Sequence, residues 1–166
     1  HALLKRQRII RVMPNTPAQV GAGAAAISPA DQATSADIAW VTQLMQSVGK
    51  CVSVAEPLMH AVTGIAGSSP AYVYLIIEAL ADAGVAGGLT RETAVQLAAQ
   101  SVLGAAKMVL ETGAHPAQLK DQVTSPAGTT IAALRQLEAH GLRSALMEAV
   151  DACIGRSKQL EQAGAR

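Results

Sequence analysis

The stretch GIAGSSPAYVYLIIEALADAGVAGG, residues 64–88, decides the fold class. Glycines and serines lead into a segment that is apolar nearly all round. Its main polar residues, Glu78 and Asp82, sit four apart and share one stripe of a helix. A helix with so little polar surface is normally buried on most sides. In a chain of 166 residues that predicts burial by a partner subunit. The helix after it is capped by Thr90, with Arg91 and Glu92 in its first turn, and runs to about Glu111. Its residues Ala94, Ala98, Ala99, Gly104, Ala105 and Ala106 let backbones approach closely. Half of all residues are apolar, yet aromatic rings are limited to Trp40, Tyr72 and Tyr74. A core of Ala, Leu, Val and Ile favours closely packed helices.

Working outward, everything after Glu56 reads as helix. A short helix covers Pro57–Thr63, another starts at His115–Pro116, one carries Ile131, Leu134 and Leu137, and the last runs from Leu142 to about Glu161. Residues 8–54 have a different texture. Arg8–Met13 and Gly23–Ser28 suggest strands, and Ile38, Val41, Leu44, Met45 and Val48 recur as on an amphipathic helix. Gly49 suits the position just past that helix, and KCVSVA alternates like a half-buried strand. The order strand, strand, helix, strand suits one edge of a layered α/β sheet. A strand beginning so near His1 lacks neighbours to pair with, so a preceding portion of the protein is expected.

Net charge is +1 with no basic run, which gives no reason to expect nucleic acid. Cys51 and Cys153 form no CxxC, which argues against a disulfide framework or zinc and for a reducing, cytoplasmic setting. The longest apolar run, PAYVYLII, is far short of the roughly 20 residues that span a bilayer, so no membrane is expected. His60, His115 and His140 lack metal-ligand spacing and read as surface or capping residues, so no metal is expected.

Three segments are candidates for chemistry. VTSPAGTT, residues 123–130, gathers small and hydroxyl residues where a helix begins. A helix entry offers unpaired N–H groups and the positive dipole end, which hold a carboxylate or phosphate. An ordinary Ser/Thr cap with Pro126 in the turn explains the same residues, and more simply. TGIAGSSPAY offers a second anion cradle or a tight helix crossing, and the crossing is preferred. MPNTP follows a strand, where α/β folds bind ligands, so Asn15 and Thr16 are plausible cofactor neighbours or a proline-stiffened turn. No GxGxxG, GxSxG, P-loop or HExxH occurs.

Taken together, RVMPNTP, VTGIAGSSPAYVYLIIEALADAGV, AAQSVLGAAKM and HPAQLKDQVTSPAGTTIAAL resemble pyrroline-5-carboxylate reductase, in order and spacing, from about Arg8 to Leu160. The resemblance implies a mainly α chain. Residues 1–55 would be the C-terminal edge of a truncated NAD(P)-binding Rossmann domain. Residues 56–166 would be an all-helical dimerisation and substrate-binding domain, of the type at the C-terminus of 6-phosphogluconate dehydrogenase. It implies hydride transfer from NADPH or NADH to the C=N carbon of pyrroline-5-carboxylate, giving proline. It implies a homodimer as well, with a larger assembly left open, and a chain that is inactive alone. By resemblance, Thr130 contacts the ring nitrogen. Ser125, Gly128, Thr129 and Thr130 hold the substrate carboxylate, with Glu56 and Gln122 near the substrate. Asn15, Thr16 and Pro17 lie beside the nicotinamide. Three residues depart from the family pattern: Ser69 and Ala127 stand where glycine is usual, and Gln122 where asparagine is frequent. A helical oligomerisation module without catalysis, or a related imine or β-hydroxyacid reductase, are the alternatives.

Overall fold

A computed structural model describes residues 7–164. The expectation about what precedes His1 lies outside these residues. The chain divides into two compact units, residues 7–72 with 147–164, and residues 73–146. The boundary inferred at residues 55 and 56 falls inside the first unit.

The first unit is built on a three-stranded sheet, β1 (Ile10–Met13), β2 (Gly23–Pro29) and β3 (Gly49–Ser53), in the order β1-β2-β3. β1 pairs antiparallel with β2, setting Met13 opposite Ala26, and β2 pairs parallel with β3. Successive residues of a strand face opposite sides. Ala26 and Ile27 are both fully buried, so both faces of β2 are covered. The elements packed on β2 are α1 (Ser35–Gln46), which links β2 to β3, and the helical segment that follows β3. Gly49 does not end α1, which closes at Ser47. It opens β3 opposite Gly23, where a Cβ would lie 2.0 Å from the Gly23 carbonyl oxygen. Only a residue without a side chain lets the two strands meet there.

After β3 the chain turns helical at Glu56 and stays so. A 3₁₀ turn (Glu56–Leu58), α2 (Met59–Val62) and a π turn (Thr63–Gly67) run straight into α3 (Ser69–Ala86). The sequence suggests a glycine–serine break between two helices. Instead the Ser68 N–H donates to the Thr63 carbonyl at 2.8 Å, five residues back, and the π turn absorbs the irregularity. Tertiary packing decides this. A Cβ on buried Gly64 would lie 3.1 Å from Val150 Cγ1 and 3.2 Å from its carbonyl oxygen, both on α7 (Leu142–Gly164). Met59 is fully buried beside it in sequence.

The second unit contains most of α3, α4 (Arg91–Thr112), α5 (Pro116–Gln122), α6 (Thr129–Ala139) and the start of α7. Thr90 caps α4 as the sequence predicts. The buried core here is Ala81, Ala94 and Ala98, flanked by Ile77 and Val85. Large apolar side chains face outward instead: Tyr74, Leu75, Leu97, Leu103 and Leu110 are all more than half exposed. The helical stretches Glu56–Ala86 and Arg91–Thr112 are long and apolar enough to cross a membrane, by length and composition only. A search for one unbroken apolar run misses this, because it stops at Glu78.

α1 shows how local chemistry fixes an element. The Thr34 hydroxyl accepts from the Asp37 N–H, and the Asp37 carboxylate accepts from the Thr34 N–H at 2.9 Å and its hydroxyl at 2.6 Å. Those Thr34 bonds, helped by Arg8, hold the Asp37 carboxyl below its ordinary value of 3.8. A depressed carboxyl contributes stability that is present above the unfolded value and lost as pH falls through the lower native value. Thr34→Ala is expected to cost about 1 kcal/mol in denaturant unfolding near neutral pH. Asp37→Asn is expected to flatten the fall in stability below the ordinary carboxylate range, with acid-range denaturation curves as the measurement.

Candidate functional site

Two places hold the residues singled out for chemistry, one in each unit. In the first unit a cleft of about 520 Å³ is lined by Met13, Pro14, Asn15, Thr16, Gln19, Thr63, Gly67 and Ser68. It lies beyond the end of β1, where the chain leaves the sheet into a 3₁₀ turn (Thr16–Val20). Asn15 builds this cleft. Its side-chain NH₂ donates to the Ala66 carbonyl at 3.0 Å, and its amide oxygen accepts from the Ala24 N–H at 2.9 Å. One side chain therefore ties the loop to β2 and to the π turn, with both ends of its amide engaged. Thr16 is exposed on the cleft wall, whereas Pro17 stiffens the turn behind it. Gly67 contributes open space: a Cβ there would meet Met13 Sδ and Thr63 Cγ2 no closer than 3.8 Å. The preferred reading of the TGIAGSSPAY segment, a tight helix crossing, holds at Gly64. Gly64 serves the helix crossing, while Gly67 and Ser68 face a cleft, which the sequence pattern alone does not reveal.

In the second unit, Val123–Gly128 forms the entry to α6. The Gly128 N–H donates to the Ser125 carbonyl at 3.1 Å and closes a turn with Pro126 and Ala127 at its centre. Ala127 has φ 55, which is the left-handed conformation the third position of a type II turn requires. It is the only described non-glycine residue with positive φ. Gly128 packs close to Ser125: a Cβ there would lie 2.2 Å from Ser125 Oγ, so a side chain would require the serine hydroxyl to turn away. No side chain caps α6, in contrast to α1, α4 and α5. The amides of Thr129 and Thr130 thus start a helix whose N-terminus lacks a side-chain acceptor, next to the Ser125, Thr129 and Thr130 hydroxyls. An acceptor-rich anion is what such an entry binds. Gln122 ends α5 and borders an apolar groove of about 350 Å³ with Met108, Val109, Leu119 and Val123.

Other predicted residues have different surroundings. Glu56 starts the 3₁₀ turn and forms an ion pair with Arg11 of β1, so its carboxylate already has a partner. His60 is neither a surface nor a capping residue. Its ring is nearly buried and ties α2 to α7, with Nδ1 3.0 Å from Ser157 Oγ and Nε2 3.1 Å from the Glu161 carboxylate. Its partners lie about a hundred residues away, beyond the reach of any local pattern. His115 does cap α5. His140 contacts the Gln136 carbonyl at the end of α6. Among the described residues, no three His, Cys, Asp or Glu side chains gather as metal ligands.

The architecture is mainly α: a helical dimerisation-type domain preceded by Rossmann-type strands and a helix. The chain belongs to the pyrroline-5-carboxylate reductase family. Residues 56–160 match the family described as pyrroline-5-carboxylate reductase dimerisation. The chain is 50% identical to the Escherichia coli pyrroline-5-carboxylate reductase over 161 residues, covering 97% of this chain and 60% of that protein. It is 55% identical to the Arabidopsis thaliana one over 157 residues, covering 95% and 57%. Among solved structures, a pyrroline-5-carboxylate reductase from Coxiella burnetii superposes with a TM-score of 0.91 at 41% identity, covering 94% of this chain and 58% of that one. A Plasmodium falciparum pyrroline carboxylate reductase, solved with NADP bound, superposes with a TM-score of 0.86 at 38% identity, covering 93% and 62%. The chain thus spans about 60% of the length of the relatives it matches.

Two substitutions separate fold from site. An L-residue in the left-handed region costs about 1–2 kcal/mol, partly offset because glycine loses more entropy on folding. Ala127→Gly is therefore expected to raise stability by about 0.5–1 kcal/mol in denaturant titrations. Gly67→Ala is expected to leave the melting temperature unchanged or raise it, because the methyl meets only ordinary contacts. The same methyl narrows the cleft between Met13 and Thr63.

Proposed function

We propose that the full-length protein containing this chain is an NAD(P)H-dependent oxidoreductase of proline biosynthesis, reducing 1-pyrroline-5-carboxylate to L-proline. The observation that carries this is the α6 entry in a chain of this family: an uncapped helix N-terminus beside Ser125, Thr129 and Thr130, in a turn where Gly128 packs close to the Ser125 hydroxyl. The substrate carboxylate docks on the Gly128–Thr130 amides with help from Ser125. The Thr130 hydroxyl holds the imine nitrogen, and Gln122 borders this region. NADPH or NADH, when bound, supplies the hydride for the C=N carbon, and the nitrogen gains one proton. The cleft beyond β1 fits the nicotinamide end of such a cofactor. Its walls carry hydroxyl and amide groups and no charged side chain, which suits an uncharged ring better than a phosphate.

Residues 1–55 are read as the edge of the cofactor-binding domain and residues 56–166 as the dimerisation and substrate domain. Glu56, paired with Arg11, is assigned to holding the junction of β1 and the helical run as well as to the substrate's vicinity. The protein acts as a cytoplasmic homodimer. The outward-facing leucines of α3 and α4 support a subunit interface over a membrane, because the family is described by dimerisation. The same exposed faces favour a second function for the chain by itself, that of an oligomerisation module without catalysis.

In this mechanism positioning carries the rate, and orientation of two reactants supplies roughly 7–11 kcal/mol at best. Thr130→Ala in the full-length enzyme is expected to lower turnover at least about tenfold, roughly 1.4 kcal/mol, with an unchanged circular dichroism spectrum. Unaltered kinetics would remove Thr130 from the mechanism. The 166-residue chain is expected to sediment as a dimer and to show no NADPH-dependent turnover. A monomer would refute the interface, and turnover would refute the need for further cofactor-binding structure.

A further inference from the structure

Pro70 is the second residue of α3, directly after the π turn and Ser68. In an α-helix the carbonyl of residue i accepts from the N–H of residue i+4. For Ala66 that residue is Pro70, which has no N–H and whose ring crowds the same carbonyl. The next donor along, the Ala71 N–H, goes to the Ser68 carbonyl at 3.1 Å. Pro70 therefore withholds from Ala66 the donor that helix geometry would supply. Asn15 takes its place, giving a hydrogen bond of 3.0 Å from its side-chain NH₂. The partners settle which way the Asn15 amide points. The Ala66 carbonyl at one end needs the NH₂, and the Ala24 N–H at the other, 2.9 Å away, needs the oxygen.

These bonds bear on the cleft itself. Met13, Pro14 and Thr16 line it from the loop that carries Asn15, while Thr63, Gly67 and Ser68 line it from the helical run. The crossing at Gly64 sets the helical run against α7. Pro70 then selects which carbonyl is displaced, and Asn15 fixes where that carbonyl goes. We propose that Asn15 and Pro70 are a matched pair of positioning residues for the reductase reaction. Pro70 frees the Ala66 carbonyl, Asn15 anchors it to the loop after β1, and that bond sets the spacing of the cofactor cleft. Asn15 thus acts on the nicotinamide through the π turn. This inference rests on the reductase reading.

The test uses the full-length protein and two probes, NADPH and its fragment lacking nicotinamide, 2′-phospho-ADP-ribose. Asn15→Asp keeps the acceptor for Ala24 and loses the donor to Ala66. It is expected to lower the melting temperature and to weaken NADPH binding about tenfold, the loss of one hydrogen bond. Affinity for the fragment is expected to stay within about twofold. KM for NADPH is expected to rise more than kcat falls. Adding Pro70→Ala gives residue 70 an N–H for the Ala66 carbonyl. The double variant is expected to regain most of the lost melting temperature while its NADPH affinity stays low, because the carbonyl is satisfied but no longer tied to the loop. A role in stability alone would make both recover together, and that result would overturn the proposal. So would unchanged NADPH affinity in Asn15→Asp, equal losses for both probes, or a melting temperature that fails to recover in the double variant. Should Asn15→Asp fail to fold, Pro70→Ala alone decides. It is expected to weaken NADPH binding about threefold, since residue 70 then competes with Asn15 for the carbonyl, and unchanged affinity would overturn the pairing. Absence of NADPH and NADH binding by the wild type would instead overturn the reductase reading itself.

Discussion

The contact between Gly64 and α7 is the constraint on which the first unit depends. With no Cβ, the helix after β3 lies against Val150 and Ile154 so closely that a methyl at Gly64 would force these neighbours to give by a few tenths of an ångström. Holding the helix there makes the chain slip by one residue at Thr63–Gly67, as a π turn. That slip brings the Ala66 carbonyl to Asn15 and sets Gly67 and Ser68 on the cleft wall. It also leaves Ser68 beside Cys153. Packing, backbone irregularity and site geometry are thus one event, in keeping with the concentration of π turns at functional sites.

The second unit is governed by a deficit. Its buried core is alanine, while leucine and tyrosine side chains of α3 and α4 point outward. Alanine permits close helix approach but buries little apolar area, and burial yields roughly 25 cal/mol per Å². On the dimer reading, the outward faces supply the missing area, and stability becomes inseparable from protomer concentration. That arrangement also suits the α6 entry. Backbone amides in a turn with left-handed Ala127 are held by geometry rather than by mobile charged side chains, so little reorganisation is needed when an anion docks.

Much was legible from local chemistry. Thr90 caps α4 as read, because a β-region hydroxyl before an apolar-periodic stretch has few other uses, whereas the Thr34 capping box appears only in the structure. The α6 entry and the loop beyond β1 were visible as candidates because proline, glycine and hydroxyl residues cluster there. Other features were invisible for a common reason. Gly49 passes for a helix terminator until Gly23 is seen against it. His60 looks solitary until Ser157 and Glu161 arrive on α7. Cys153 reads as a packing residue until Ser68 meets it, with Oγ 3.2 Å from Sγ. In each case the deciding partner lies far along the chain.

By itself, then, the sequence determined the helices, the Thr90 cap, the order of strands and helix along the chain and the clustering of small and hydroxyl residues at the α6 entry. All of these follow from hydrogen-bonding and periodicity within a few residues. Only the tertiary structure decided that the glycine–serine stretch at 63–68 remains helical, that Asn15 is a strut engaged at both ends, and that Ser68 lines a cleft with its hydroxyl beside Cys153. Those outcomes depend on close approach between segments up to about a hundred residues apart, where a single missing Cβ or one shared hydrogen bond outweighs local preference.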